Sequence, residues 1–391
     1  MSGLNSPRSS RRDFLRAAAL AAGAGALAPR LLFARAATDR RFVFVIQRGA
    51  ADGLATLVPY AEPAHARLRG ALAEDAARAT RLDGSFALHP ALAEAARLYA
   101  AGQALLVHAV ASPYRERSHF DGQNVLETGG TAPYRLKDGW LNRLLGLLPQ
   151  EGRRAIALAP TIPTALRGTV RVASYAPSAL PDAPDDVLLR IGRLYAADPQ
   201  LQGLWESAMR TRDIAAMSAD GARRGSAELG KLAADFLARA DGPRIAMIET
   251  SGWDTHSAQQ VRLGNQLGAL DRLLAALRDG LGTTWNQTVV LVATEFGRTA
   301  AVNGTGGTDH GTASAAMLFG GAVQGGRILA DWPGLKPNDL LEGRDLRPTL
   351  DLDALIAATV GECFGLEPAL VRRTLFPQSA AASDIPRLLR G

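Results

Sequence analysis

The chain has 391 residues, 47% of them hydrophobic, enough to bury one large core or two modest ones. Its formal charge of +6 belongs almost wholly to residues 1–36, where six arginines face one aspartate; beyond Ala36, 38 basic residues balance 37 acidic ones, which removes any argument for a nucleic-acid partner. A single cysteine, Cys363, excludes an intrachain disulfide framework and any Cys-rich zinc or iron-sulfur site, and is read as a small buried hydrophobe.

Ser10-Arg11-Arg12-Asp13-Phe14-Leu15, the mildly apolar AAALAAGAGALA and Ala34-Arg35-Ala36 read as a twin-arginine export signal over residues 1–36. The apolar stretch is too short to remain as a membrane anchor. The expected partner is the twin-arginine export machinery, and the expected location of a mature chain beginning near Ala37 is the periplasm or the exterior. Arg41 to Gln47 predicts the first strand, and Asp52 in the turn after it is placed equally well as a metal ligand or as a helix cap. Residues 60 to 88, Ala- and Arg-rich, read as a surface excursion with His65 solvated. A helix over 91–101 leads to a strand over 104–110, whose His108 alternates with apolar neighbours as a core histidine would.

The next loop, Ser112 to Asp121, is dense in reactive groups. Ser118 beside Arg115 and Arg117 is either a nucleophile with a guanidinium clamp for an anion or the cap of the following helix. A helix over 139–148 and short strands over 155–159 and 170–174 follow. A Pro-rich connection and amphipathic helix then make residues of about 175–240 a candidate helical cap inserted in a single domain, 37–391.

Arg244 to Thr250 predicts a strand delivering Asp254 and His256, which an extended backbone points the same way. A carboxylate and an imidazole so placed are standard partners for zinc or a similar divalent ion. After a long helix over 258–278, the strand Thr288 to Thr294 opens on Glu295 and a Gly-rich loop. Asp309-His310-Gly311 and a second apolar strand to Val323 complete the pattern. Short apolar runs ended by Gly and Thr suit central strands of a parallel sheet, and such sheets place their chemistry just past the strands' carboxyl ends.

The motifs GAADGLATLVPY, LHPAL, RSHFDGQNVLETG, GWLNRLL, GWDTH, TEFGRT and DHGT resemble those of the exported proteins of the domain of unknown function 1501, within the alkaline phosphatase and sulfatase superfamily. The resemblance implies a three-layer α/β/α fold with a mostly parallel central sheet, alkaline-phosphatase-like, with a helical insertion. It implies that Asp254, His256 and His310 resemble the ligands of one ion and that Asp52 and Glu295 resemble part of a second site; Asp309 is left to support a ligand from behind or to order the loop. Ser118 lies about where the superfamily keeps its nucleophile, with His119 as the alternative. Two departures stand out. Glu295-Phe296 replaces the usual Asp-His, removing an imidazole, and the sulfatase formylglycine cysteine is absent.

The activity expected is a metal-dependent hydrolase or transferase acting on a phosphoester or related anionic ester, small or polymer-linked. Zinc is the ion expected, with magnesium, calcium or manganese as alternatives. Ser118, His119 or an activated water would attack while Arg115 or Arg117 holds the charged oxygens. The alternative is a periplasmic binding or assembly protein that keeps the fold with degraded catalysis. No nucleotide-binding glycine fingerprint or haem motif supports a redox role.

Overall fold

The computed structural model describes residues 39–73, 78–149, 154–176, 190–192, 194–196, 198–217, 225–379 and 384–391. The export leader expected over 1–36 lies outside the described residues. Arg41–Gln47 (β1) is buried at every position, as a central strand covered on both faces must be. Phe42, Phe44 and Ile46 enter one core while Val43 and Val45 enter another, the two-residue period of a strand.

In chain order the sheet continues with Ala104–Ala111 (β2), Ala155–Leu158 (β3), Ala173–Ser174 (β4), Ile245–Thr250 (β5), Thr288–Thr294 (β6), Ser314–Phe319 (β7), Arg327–Leu329 (β8) and Leu350–Asp351 (β9). The spatial order is β8-β2-β7-β6-β1-β5-β3-β4, with β9 also on β2. β1 is parallel to β5 and β6, and β3 to β5 and β4. β7 is antiparallel to both β2 and β6, so the strand after the Gly-rich loop, expected to be parallel, runs the other way. The connection 295–313 contains no helix, and a parallel crossover ordinarily needs one. Full burial looks the same for either strand direction.

Among the described residues the helices include Gly53–Thr56 (α1), His65–Arg69 (α2), Ala93–Ala100 (α3), His119–Thr128 (α4), Trp140–Leu147 (α5), Pro199–Met217 (α6), Ser226–Leu237 (α7), Gln259–Leu281 (α8), Leu352–Phe364 (α9) and Pro368–Leu375 (α10). One face of the sheet is covered by α5, α9 and α10 through Trp140, Leu144, Leu355 and Val371. The other is covered by α3, α7 and α8 through Leu98, Leu232 and Leu270. The fold is therefore three-layer α/β/α with a mostly parallel sheet. In α8, Leu263, Leu267, Leu270, Leu274, Leu277 and Leu281 recur at helical spacing and are all buried, each contributing about 2 kcal/mol of transfer free energy. Because α7 belongs to this covering layer, the excursion expected over about 175–240 loses its last helix to the sheet.

His65, expected in solvent, is 4% exposed. Its helix α2 turns Arg69 inward to Asp52, and the imidazole goes in with it. His108 is fully buried and bonded through Nε2 to the Leu57 carbonyl at 2.8 Å. Burial holds both imidazoles down at a pKa of about 4, so both stay neutral.

Candidate metal centre

β1, β2, β5 and β6 end at one edge of the sheet, and β7, running backwards, starts there. The chain thus delivers Gly49 after β1, His119 after β2, Asp254 and His256 after β5, Glu295 after β6 and His310 just before β7 to the same edge. Gly49 makes the closeness feasible. It sits at φ 121°, and a Cβ there would lie 2.6 Å from the Asp254 amide nitrogen.

Three of the six histidines converge on Asp254. His256 Nε2 lies 3.0 Å and His310 Nε2 3.2 Å from Asp254 Oδ1, and the two nitrogens are 2.9 Å apart. His119 Nε2 lies 3.5 Å from Asp254 Oδ2. Each ring's other nitrogen faces an acceptor: His119 Nδ1 meets Glu295 Oε1 at 2.9 Å, His256 Nδ1 meets Asp309 Oδ1 at 3.1 Å, and His310 Nδ1 meets the Arg117 carbonyl at 3.0 Å. In each neutral ring the Nδ1 hydrogen donates outward, which leaves the Nε2 lone pair facing inward. Lone pairs and a carboxylate crowded together repel unless a cation lies among them.

The donor set fits such a cation. Imidazole nitrogen and carboxylate oxygen are zinc-type ligands, and at ~2.0 Å bonds the corners of a tetrahedron are about 3.3 Å apart. Asp254, His119 and His310 offer ligand atoms within 4.8 Å of one another. His119 Nε2 is buried and has no hydrogen-bond partner among the described residues, which suits a metal-ligating nitrogen. The outward bonds to Glu295, Asp309 and a backbone carbonyl are the kind that orient metal-binding histidines.

The electrostatics agree. The hydrogen bond that His119 donates to Glu295 raises the His119 pKa against the opposing effect of burial, so a positive charge is welcome there. Burial is the largest cause that lowers that of His310. Burial alone would raise Asp254, but the bond and charge of Arg298 bring it below its ordinary value.

Other expected site residues go elsewhere. Asp52 caps α1 through the Ala55 amide at 3.1 Å and is held by Arg69 Nη2 at 3.0 Å and Gln259 Nε2 at 2.6 Å. Glu295 is held by His119, by Gln123 Nε2 at 3.1 Å and by the Gly49 amide at 2.8 Å. The two carboxylates thus have separate partners and do not form the expected second site: Asp52 is balanced by Arg69, and Glu295 accepts from His119, Gln123 and a backbone amide. The guanidinium of Arg117 pairs with Asp345 and Glu342, and that of Arg115 donates to the carbonyls of Ser112 and Tyr114, so neither is a free clamp beside Asp254. Arg117 serves through its carbonyl instead, from a left-handed φ of 61°. Ser118 occupies the N-cap of α4 without a side-chain capping bond, and its amide donates to Tyr114 Oη at 3.2 Å.

Two participants escaped the sequence reading. Arg298, from the TEFGRT motif, is 1% exposed and donates to Asp254 Oδ1 at 2.7 Å. Gln259, fully buried at the start of α8, joins Asp52 to Thr308. An arginine inside an otherwise small-residue strand-end loop was the available signal for the first. Nothing local distinguishes the second from an ordinary helix-start glutamine.

Fold and site together define a three-layer α/β protein with a histidine and carboxylate cluster at the carboxyl edge of its sheet. The chain belongs to the family of proteins of unknown function DUF1501, which matches residues 39–375. No curated protein matches it. Among solved structures it is similar to the C-terminal periplasmic domain of EptC from Escherichia coli, at 12% identity over 89% of this chain and 88% of that one, TM-score 0.41. It is also similar to BT1596, a 2-O GAG sulfatase, at 12% identity over 88% and 76%, TM-score 0.42. A third is a protein in the alkaline phosphatase superfamily from Vibrio parahaemolyticus, at 12% over 72% and 60%, TM-score 0.36. At these values the activity has to be argued from this chain's own residues.

Proposed function

We propose that this chain is an exported hydrolase or transferase of phosphoesters or related anionic esters, dependent on one divalent ion of the zinc type held at Asp254 by His310 with His119 and His256. The observation that carries the reading is the set of three Nε2 atoms turned toward one carboxylate while every Nδ1 is tied outward. One ion is proposed rather than two, because Arg69 balances Asp52 and His119 pairs with Glu295. Export rests on the paired arginines and the A-x-A site of the leader. Among the described residues no helix is long and apolar enough to cross a membrane.

When bound, such an ion supplies Lewis acidity toward an ester oxygen. The protein's own groups do the rest. Glu295 and the Arg117 carbonyl hold His119 and His310 in one orientation, so no rearrangement is needed when substrate arrives. Arg298 offsets the charge of Asp254 and keeps that carboxylate ionised at the centre. Phe296, packed on His119 with ring centroids 5.1 Å apart, walls the centre on one side against water. The Ser118 hydroxyl, next to His119 and not used in capping α4, is the proposed attacking group.

Metal analysis of protein purified after export, followed by a phosphoester and sulfate-ester panel, tests this. We expect one zinc-type ion per chain and turnover of at least one anionic ester, both lost in Asp254→Ala. Purified protein without a stoichiometric ion would refute the reading, whereas an ion without turnover would favour a binding or assembly role.

A further inference from the structure

Beneath Asp254 lies a continuous chain of buried polar contacts. Arg298 donates through Nη1 to Asp254 Oδ1 at 2.7 Å, through Nε to Thr308 Oγ1 at 3.1 Å and through Nη2 to the Thr308 carbonyl. The Thr308 hydroxyl donates to Gln259 Oε1 at 2.6 Å, and the Thr255 hydroxyl donates to the same oxygen at 3.0 Å. With two hydroxyl hydrogens on Oε1, the Gln259 amide has one orientation left, and its Nε2 faces Asp52 Oδ2 at 2.6 Å. Asp52 is anchored in turn by Arg69. Arg69, Asp52, Gln259, Thr255, Thr308 and Arg298 are each at most 1% exposed.

Polarity runs one way along this chain. The carboxylate of Asp52 can only accept, so Gln259 must donate to it, and the amide oxygen must then receive Thr308. That fixes the Thr308 oxygen as acceptor for Arg298 Nε. With two of its nitrogens bound to Thr308, the planar guanidinium cannot turn, and Nη1 is aimed at Asp254. Merely satisfying buried groups would not require the contacts to end on a candidate ligand.

We propose that Gln259 is a positioning residue for the centre: anchored on Asp52 and Arg69, it locks Arg298 through Thr308 so that Asp254 keeps the orientation in which Oδ1 faces His256 and His310 and Oδ2 faces His119. This rests on the reading of Asp254 as a metal ligand. It gives Asp52 a role different from the ligand role its sequence position suggests.

The experiment is a cobalt titration of chelator-stripped protein, read by visible absorption, with circular dichroism and a urea midpoint for each variant. Gln259→Glu sets two carboxylates against each other, and we expect cobalt affinity to fall about 10- to 100-fold, the usual effect of losing an outer partner of a metal ligand. Thr308→Val cuts the chain without adding charge and should both weaken binding and shift the cobalt bands; it decides the matter alone if Gln259→Glu does not fold. A folded Gln259→Glu or Thr308→Val protein that binds cobalt within about twofold of the parent would overturn the inference and leave the metal reading standing. A parent that binds no cobalt would overturn both.

Discussion

The bond from His119 Nδ1 to Glu295, at 2.9 Å, decides what that imidazole can do. With its Nδ1 hydrogen committed to a buried carboxylate, His119 presents only Nε2 to Asp254, which suits the ligand role proposed for it better than that of an attacking group. Phe296 then has a different meaning from the one its place in the sequence suggests. It occupies a position where an imidazole was expected, yet it stacks on His119 at an interplanar angle of 24° and lies 5.4 Å from the His310 ring. In the proposed centre the imidazole missing at 296 would come from His119, the first residue of α4. This separates the roles of two adjacent residues. His119→Ala should lower metal affinity at least tenfold, by removing a ligand. Ser118→Ala should keep the full ion content and lower kcat by about 100-fold or more on any ester the parent turns over. Elemental analysis and steady-state kinetics on the two proteins check it, and an unchanged kcat in Ser118→Ala would exclude the serine as nucleophile.

Between β6 and β7 the connection 295–313 stays at one edge of the sheet because β7 is antiparallel, and this is what lets a single loop contribute Glu295, Arg298, Thr308, Asp309 and His310. The loop is held against the residues after β5 at Gly307, where a Cβ would come within 2.3 Å of the backbone carbonyl of His256. Gly307→Ala should therefore push the loop off His256, weakening metal binding by tenfold or more while leaving secondary structure intact. Circular dichroism beside a cobalt titration would show it, and unaltered binding would mean that the loop yields without moving its ligands. That reactive residues gather at strand ends was legible in the sequence, since strand and loop alternate visibly around Asp254, Glu295 and His310. The partner of each residue was not. An aspartate after a strand serves equally as ligand or cap, and what settles Asp52 is Arg69, in a segment whose Ala- and Arg-rich composition reads as surface. Arg115 and Arg117 carry the right charge for a clamp, but their carboxylate and carbonyl partners become visible only in three dimensions.

Across the whole molecule, the sheet's two buried faces make two cores, and the α/β architecture was readable because β1, β5 and β6 are short apolar runs alternating with helical spacing. Strand direction was hidden, as was a buried acid on one of the covering helices. Asp353, in the first turn of α9, is 4% exposed, and its Oδ2 has no partner among the described residues. Burial pushes its pKa up to about 7, with Asp351 adding to the rise and Ser379 and Arg115 opposing it. In the unfolded chain the same group ionises near pH 4. From about pH 4 to 7 the unfolded state therefore loses this proton while the folded state keeps it, so this group's contribution to stability falls as pH rises through that window and is lowest above it. Asp353→Asn, an uncharged near-isostere, should be more stable than the parent at pH 8 by on the order of a few kcal/mol. The difference should shrink steadily on acidification and nearly vanish at pH 4, where both side chains are neutral. Histidines that titrate in the same range, His65 and His108, are common to both proteins and cancel in the comparison. Urea midpoints of parent and variant at pH 4, 5.5 and 8 measure it. A gap that stays constant across the three would mean that Asp353 is ionised in the fold throughout, with its charge met by Arg115.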